Sequence, residues 1–234
     1  MSAARSVSGV IVAAVLLGGC TTTQDVNGRY ELRAKRILAG REPVRVTMPN
    51  PAVAVDRVQV VRGHGTAVVV ELTNRTDDPL TDLPITVGIG DKILNDHKGQ
   101  DYFQGRVAAI APHGHTRWVF VTHRPVPPKG APFARVGSQA APHAASVGAL
   151  PALATTASAP ASGQVRVKVS NPTEIPQYNF PVYALAAVGG RYVAAGRATV
   201  EELDKGSAST VAIRLQGAAP HAPVELEALP SIFK

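Results

Sequence analysis

The chain has 234 residues, and 45 % of them are hydrophobic, which is enough apolar matter to bury a core and excludes global disorder. Its 21 glycines and 19 prolines suit a turn-rich β protein, while a single cysteine excludes a disulfide framework and any cysteine-rich metal cluster. The formal net charge is +7, but residues 56–138 and 164–234 are each near balance, which argues against nucleic acid as a partner.

Met1 to Gly19 carry one charge, Arg5, ahead of an apolar run from Val10 to Leu17. That run is too short to span a bilayer, for which about 20 residues are needed, and fits the hydrophobic region of a signal peptide. Leu17-Gly18-Gly19-Cys20 comes next, and the only cysteine of the chain closes it. This tetrapeptide resembles the bacterial lipobox. The resemblance implies removal of residues 1–19 and a mature chain that starts at lipidated Cys20. Each buried CH₂ then contributes about 0.8 kcal/mol, so several acyl chains hold a protein on a membrane without a transmembrane helix. By analogy with other lipoproteins, Thr21 rather than an acid after the cysteine favours the outer membrane where the host has one. The alternative reading is an ordinary signal peptide with a coincidental cysteine.

Residues 20–55 read as a tether and a basic lead-in. Thr21-Thr22-Thr23-Gln24 has no core-forming residue. Six bases (Arg29, Arg33, Lys35, Arg36, Arg41, Arg45) stand against Asp25, Glu31 and Glu42, a balance of +3. Residues 56–138 hold ten bases and eight acids, and residues 164–234 hold seven and six. Half the excess positive charge of the mature chain therefore lies just after the anchor, where it suits an anionic lipid or wall polymer, or simply a solvated face. Tyr30, Leu32 and Ala34 alternate with charged residues as in a strand, yet Tyr30, Ala34, Ile37 and Leu38 also make a helix face ending at Gly40. Both readings stay open.

Residues 139–163 contain ten alanines, three prolines and no Asp, Glu, Lys or Arg, the composition of a linker, part of which can serve as a first strand for the second domain. On either side of it one text appears twice. Thr66–Ile85 and Gly163–Val182 align without a gap, with identities at Val68/Val165, Val70/Val167, Asn74/Asn171, Thr76/Thr173, Pro79/Pro176 and Pro84/Pro181. Downstream, Gly105-Arg106 answers Gly196-Arg197, and Ile110 with Gly114 answers Leu203 with Gly206. This is an internal repeat. Within it Val165, Val167 and Val169 alternate with Arg166, Lys168 and Ser170, as a half-buried antiparallel strand requires. The two asparagines end their strands, and Gly189-Gly190 reads as a hairpin turn. The prediction is all-β: two antiparallel, immunoglobulin-like β-sandwiches, residues 56–138 and 164–234.

The second copy resembles the small immunoglobulin-like domains of bacterial envelope lipoproteins, the FxLYD-type domains among them. The resemblance is carried by Val165–Asn171, Phe180-Pro181-Val182-Tyr183, Gly189-Gly190 and Leu203-Asp204-Lys205-Gly206. The first copy departs from it where Gly88, Gly90 and the polar run Asn95–Gln100 interrupt the expected aromatic strand and hairpin.

The chemistry is sparse. His113, His115 and His123, with His97 in a polar loop, allow a metal site on one extended face, with Asp96 and Asp101 as the hard ligands on offer. Turn and surface histidines explain the same residues, and no metal or cofactor is predicted. Asp77-Asp78 with Asp82 suits a Ca²⁺ loop or, more simply, a turn. Ser231 and Lys234 match Ser-x-x-Lys by spacing alone, and Gly88-Ile89-Gly90 lacks the third glycine and the helix of a phosphate loop. Trp118, Phe103, Tyr102 and Phe120 offer a stacking surface or, the simpler use, a core. The sequence thus predicts a non-enzymatic, lipid-anchored envelope protein that presents two domains on a flexible linker to a protein or cell-wall partner. Its alternative is a metal- or small-ligand-binding lipoprotein using the His113/His115/His123 region.

Overall fold

The structure is a computed structural model that describes residues 45–97, 100–138, 150–218 and 222–231. The signal segment, Cys20, the tether, the lead-in up to residue 44, most of the alanine-rich stretch before residue 150 and Lys234 lie outside the described residues. The rest is all-β, with fourteen strands and one 3-10 turn. The first seven strands are β1 (Val53–Arg62), β2 (Thr66–Asn74), β3 (Leu80–Ile89), β4 (Lys92–Ile93), β5 (Arg106–Ile110), β6 (His115–Thr122) and β7 (Pro132–Val136). The remainder are β8 (Ala154–Ala157), β9 (Gln164–Ser170), β10 (Gln177–Val188), β11 (Arg191–Leu203), β12 (Ala208–Arg214), β13 (Gln216–Gly217) and β14 (Val224–Ala228).

Each half is a pair of antiparallel sheets with the same connectivity. In the first, β1-β2-β6 faces a sheet centred on β3, which pairs with β5 along its first half and with β4 and β7 along its second. In the second, β8-β9-β12 faces β13-β11-β10-β14. Strand β11 is one continuous strand of 13 residues, whereas its counterpart in the first half is split into β4 and β5 around the 3-10 turn Tyr102–Gln104. Two boundaries shift relative to the sequence. Strand β1 begins at Val53, inside the predicted lead-in, and β8 lies within residues 139–163, pairing with β9 as the optional first strand. The hairpin at Gly189-Gly190 forms as expected, with φ of 57° and 74°, the two left-handed positions of a type I′ turn.

Register fixes the correspondence of the repeats. Leu80 faces Ile110, and Gln177 faces Leu203, so Ile110 and Leu203 are equivalent as read from sequence. Leu83 faces Val107 while Phe180 faces Val200, which makes Arg106 the counterpart of Thr199 rather than of Arg197. The glycine-arginine pairs therefore match in text and not in place.

The repeated Asn-x-Thr-x-x-Pro has a physical reason. Asn74 and Asn171 are buried, at 0 % and 1 % exposure. The Asn171 Nδ2 donates to the carbonyls of Ile175 (2.9 Å), Leu203 (3.3 Å) and Asp204 (3.3 Å), and Asn74 makes the same three bonds to Asp78, Ile110 and Ala111. Each asparagine oxygen accepts the backbone N–H and the hydroxyl of the threonine two residues on. One side chain thus satisfies carbonyls from two loops that leave opposite sheets.

The two sandwiches are packed together, not held apart on a linker. Along β2, Val68, Val70 and Leu72 alternate with Ala67 and Val69, and all five are fully buried. Along β10, Val182, Ala184 and Ala186 belong to the core of the second sandwich, while Tyr183 and Leu185 join Tyr192, Ala195 and Leu229 in the core of the first. Because side chains alternate across a strand, β2 and β10 each have both faces covered, and their sheets lie against one another as the middle layers of a stack. The approach is close. A Cβ on Gly63 would sit 2.4 Å from the Gly217 nitrogen, and one on Gly217 would sit 2.7 Å from a Val61 methyl.

Coupling through this seam makes a prediction. Asn171→Ala strands three carbonyls in the second sandwich and should cost about 3 kcal/mol. The only tryptophan, Trp118, is buried in the first. In urea, Trp118 fluorescence and far-UV circular dichroism should shift together by the same amount. Loss of the dichroism transition alone would mean that the two halves unfold separately.

Candidate functional site at the seam of the two sandwiches

Polar side chains finish the seam that the apolar contacts begin. Gln59 makes a reciprocal pair with Tyr192, its Nε2 donating to the carbonyl at 2.6 Å and its Oε1 accepting from the N–H at 3.0 Å. The Arg57 guanidinium donates to the Gly190 carbonyl at 2.6 Å. Arg197 on β11 is 5 % exposed and reaches Asp101 of the first sandwich at 3.0 Å, where Thr199 also donates at 2.7 Å. A buried ion pair of this kind contributes little net stability but fixes one mutual orientation, because parting it would leave a desolvated charge.

At one end of the seam the strands leave a groove of about 400 Å³, lined by Asp56, Glu71, His115, Arg117, Tyr192 and Glu227. The Tyr192 hydroxyl donates to Glu71 at 2.7 Å, and Arg57 stands 3.5 Å from the other Glu71 oxygen. Burial first, and then Glu71, pushes the Tyr192 hydroxyl up to about 12. Arg117 holds Glu227 through Nε at 2.9 Å and Glu225 through Nη1, and Thr116 donates to Glu227. Burial lowers the Arg117 guanidinium, and these carboxylates more than offset it, leaving the group above its ordinary value. Thr73 has one hydroxyl proton, given to Asp56 at 2.5 Å, so its 2.7 Å contact with His115 Nδ1 runs the other way, with the ring N–H donating. Donors and acceptors here are matched to one another across the seam. The groove is built as a latch.

The structure disperses the residues singled out in the sequence. His115 opens β6 and His123 comes just after its last residue, eight positions on, which at roughly 3.4 Å per residue is about 27 Å away. His113 sits in the turn before β6 at φ 48°, with Nε2 2.8 Å from Asp77, both side chains exposed. His97 lines a separate hollow of about 140 Å³ with Asp96, Lys92 and Arg124. The His113/His115/His123 region is therefore not one site, and among the described residues no three His, Cys, Asp or Glu are placed to hold a metal. Asp82 turns to Tyr102 (2.7 Å) and Arg106 (3.5 Å), while Asp77 turns to His113. Trp118 and Phe120 are core residues, stacked at 6.3 Å, and the indole N–H donates to the carbonyls of Phe103 and Arg106. Gly90 turns β3 into β4 at φ 58°, and Ser231 Oγ donates to the Tyr178 carbonyl at 2.6 Å.

Asp56, Glu71, Arg117, Tyr192, Arg197 and Glu227 are absent from the sequence candidates, and Asp101 figures among them only as a hard metal ligand. Each meets a partner from a remote part of the chain, so no local spacing announces it. One signal was present: Ala67–Val70 and Val182–Ala186 are unbroken apolar runs, the mark of strands covered on both faces. No protein-family model matches the chain, and no curated protein matches it.

The Tyr192 bond predicts an alkaline limit. A hydroxyl raised from 10 to about 12 gives its full stabilisation below pH 10 and loses it as the pH climbs through 12. Urea midpoints of the wild type should fall between these values. Tyr192→Phe should cost about 1 kcal/mol near neutrality and fall less steeply at high pH. Parallel alkaline curves for both proteins would refute the role given to this bond.

Proposed function

We propose that the chain is a non-enzymatic, lipid-anchored protein of the bacterial cell envelope whose joined sandwiches form one rigid binding body for a protein or cell-wall partner. The observation that carries this reading is Leu17-Gly18-Gly19-Cys20, placed directly after an apolar run and containing the only cysteine of the chain. The resemblance of the second sandwich to immunoglobulin-like domains of envelope lipoproteins supports the same setting. Acylation of Cys20 fixes the protein to a membrane, on the outward or periplasmic side, and to the outer membrane where the host has one. The lead-in between Cys20 and Arg45 then gives the body reach from the surface.

Joining the sandwiches changes how such a protein binds. Two beads on a flexible tether lose orientational freedom whenever both engage one partner. A body already fixed by the Arg197–Asp101 and Arg117–Glu227 pairs has little of that freedom left to lose. The separation of His115 from His123 gives the alternative, a metal- or small-ligand-binding lipoprotein using the His113/His115/His123 region, less support than the binding-body reading.

Fractionation of cells expressing wild type and Cys20→Ser tests the anchor. The wild type should pellet with membranes and yield an acylated N-terminal peptide by mass spectrometry. The variant should move to the soluble envelope fraction. A variant that pellets as fully as the wild type would overturn the reading.

A further inference from the structure

The seam has a second opening, at the end of the strands away from the latch. There a cleft of about 440 Å³ lies between the sandwiches, with His64 and His123 on one wall and Ser162, Gly163, Arg214 and Gly217 on the other. We propose that this cleft is a binding site for phosphate-bearing anions.

Charge separates it from the rest of the molecule. Six cations elsewhere have carboxylate partners: Arg45 with Asp96, Arg57 with Glu71, Arg106 with Asp82, Arg117 with Glu225 and Glu227, Arg197 with Asp101, and Lys205 with Glu174. The cleft lining holds Arg214, His64 and His123 and no Asp or Glu, and the adjoining residues 61–66, 158–166 and 212–218 add Arg62 and Arg166, again without an acid. All three of these arginines are exposed, and among the described residues none is ion-paired. Arg62 is aimed by a 2.8 Å bond to the Pro127 carbonyl. Like charges on neighbouring segments repel one another over a range of roughly 8 Å at physiological salt. Walls of low dielectric strengthen the field inside a cleft.

A ligand with several negative charges relieves that repulsion, and phosphate fits the donors. Guanidinium groups match its oxygens with two parallel N–H bonds, and the imidazoles and the Ser162 hydroxyl supply further donors from the walls. The volume falls within the roughly 300–1,000 Å³ usual for small-ligand sites. Both sandwiches contribute, so the site exists only because the seam is closed. The inference does not depend on the lipid anchor.

Residues 20–234 bearing Cys20→Ser are the protein to test. Two variants have equal charge: Arg62→Gln/Arg214→Gln in the cleft, and Arg75→Gln/Lys205→Gln away from it. Calorimetric titration with tripolyphosphate should show salt-sensitive binding that the cleft variant weakens by about ten-fold or more and the control variant by about two-fold or less. Flotation with vesicles of phosphatidylglycerol and phosphatidylcholine, against phosphatidylcholine alone, identifies the source. Cleft-dependent binding of tripolyphosphate points to soluble phosphate esters, and cleft-dependent flotation without it points to lipid headgroups. Binding in neither assay, or equal loss in both variants, overturns the proposal. Arg214→Gln alone, with its urea midpoint compared with the wild type, keeps the result readable if the double variant folds poorly.

Discussion

Strand β10 lies between two cores and feeds both, sending Val182, Ala184 and Ala186 one way and Tyr183 and Leu185 the other. A strand with one solvated face needs polar residues at alternate positions, and β10 has none through its middle. Its outer face must therefore be covered, and the sheet that covers it is β1-β2-β6, whose own outward residues Ala67 and Val69 are equally apolar. The fixed pairing of the sandwiches results from that mutual need. Small residues let it close: alanines on both surfaces, and Gly63 against Gly217 where the backbones come nearest. The polar bonds around the rim then select one orientation from those that burial alone would permit.

Within each sandwich the buried asparagine has the corresponding role. A turn that crosses between sheets exposes carbonyls that no ladder can satisfy, and the carboxamide nitrogen reaches three of them at once. The repeat is strongest from the strand before this residue to the proline after it because those positions serve one local structure. Downstream, where the first copy inserts the 3-10 turn, text and geometry part company. That insertion is not idle: its N-cap residue Asp101 bonds the Phe103 N–H and also receives Arg197 from the second sandwich. The element that breaks the repeat is thus one of those that joins the copies.

Fold class was legible because its signals are local. A period of two along Val165–Val169, a glycine pair at a hairpin and an asparagine at a strand end each act within a few residues. The core role of Trp118 was favoured for its shared face with Phe120, although register alone left the buried face undecided. The seam was not legible, since Arg117 and Glu227 or Glu71 and Tyr192 are more than a hundred residues apart and meet only after both sandwiches exist. A linker rich in alanine and proline encouraged a picture of independent modules. Composition reports the stiffness of a connection and is silent about the surfaces at its ends. The continuous apolar runs in β2 and β10 are the contrary sign, and the sequence reading made no use of it.

The two ends of the seam show how a modest net charge can conceal local extremes. At the latch, four carboxylates, two guanidinium groups and a tyrosine hydroxyl compensate one another, and their attraction holds the sheets together. At the cleft, cations gather with no acid on any bounding segment, and their repulsion opposes the same contact. Closure there is carried by other means: the Gly63–Gly217 approach, the Gln216 carboxamide accepting the Gly65 N–H at 2.6 Å, and Val61 packed against the glycine. An arrangement that holds like charges beside one another by neutral contacts leaves their field uncompensated. The seam therefore does two kinds of work, with one rim spending its charges on cohesion and the other keeping them available to a ligand from solution.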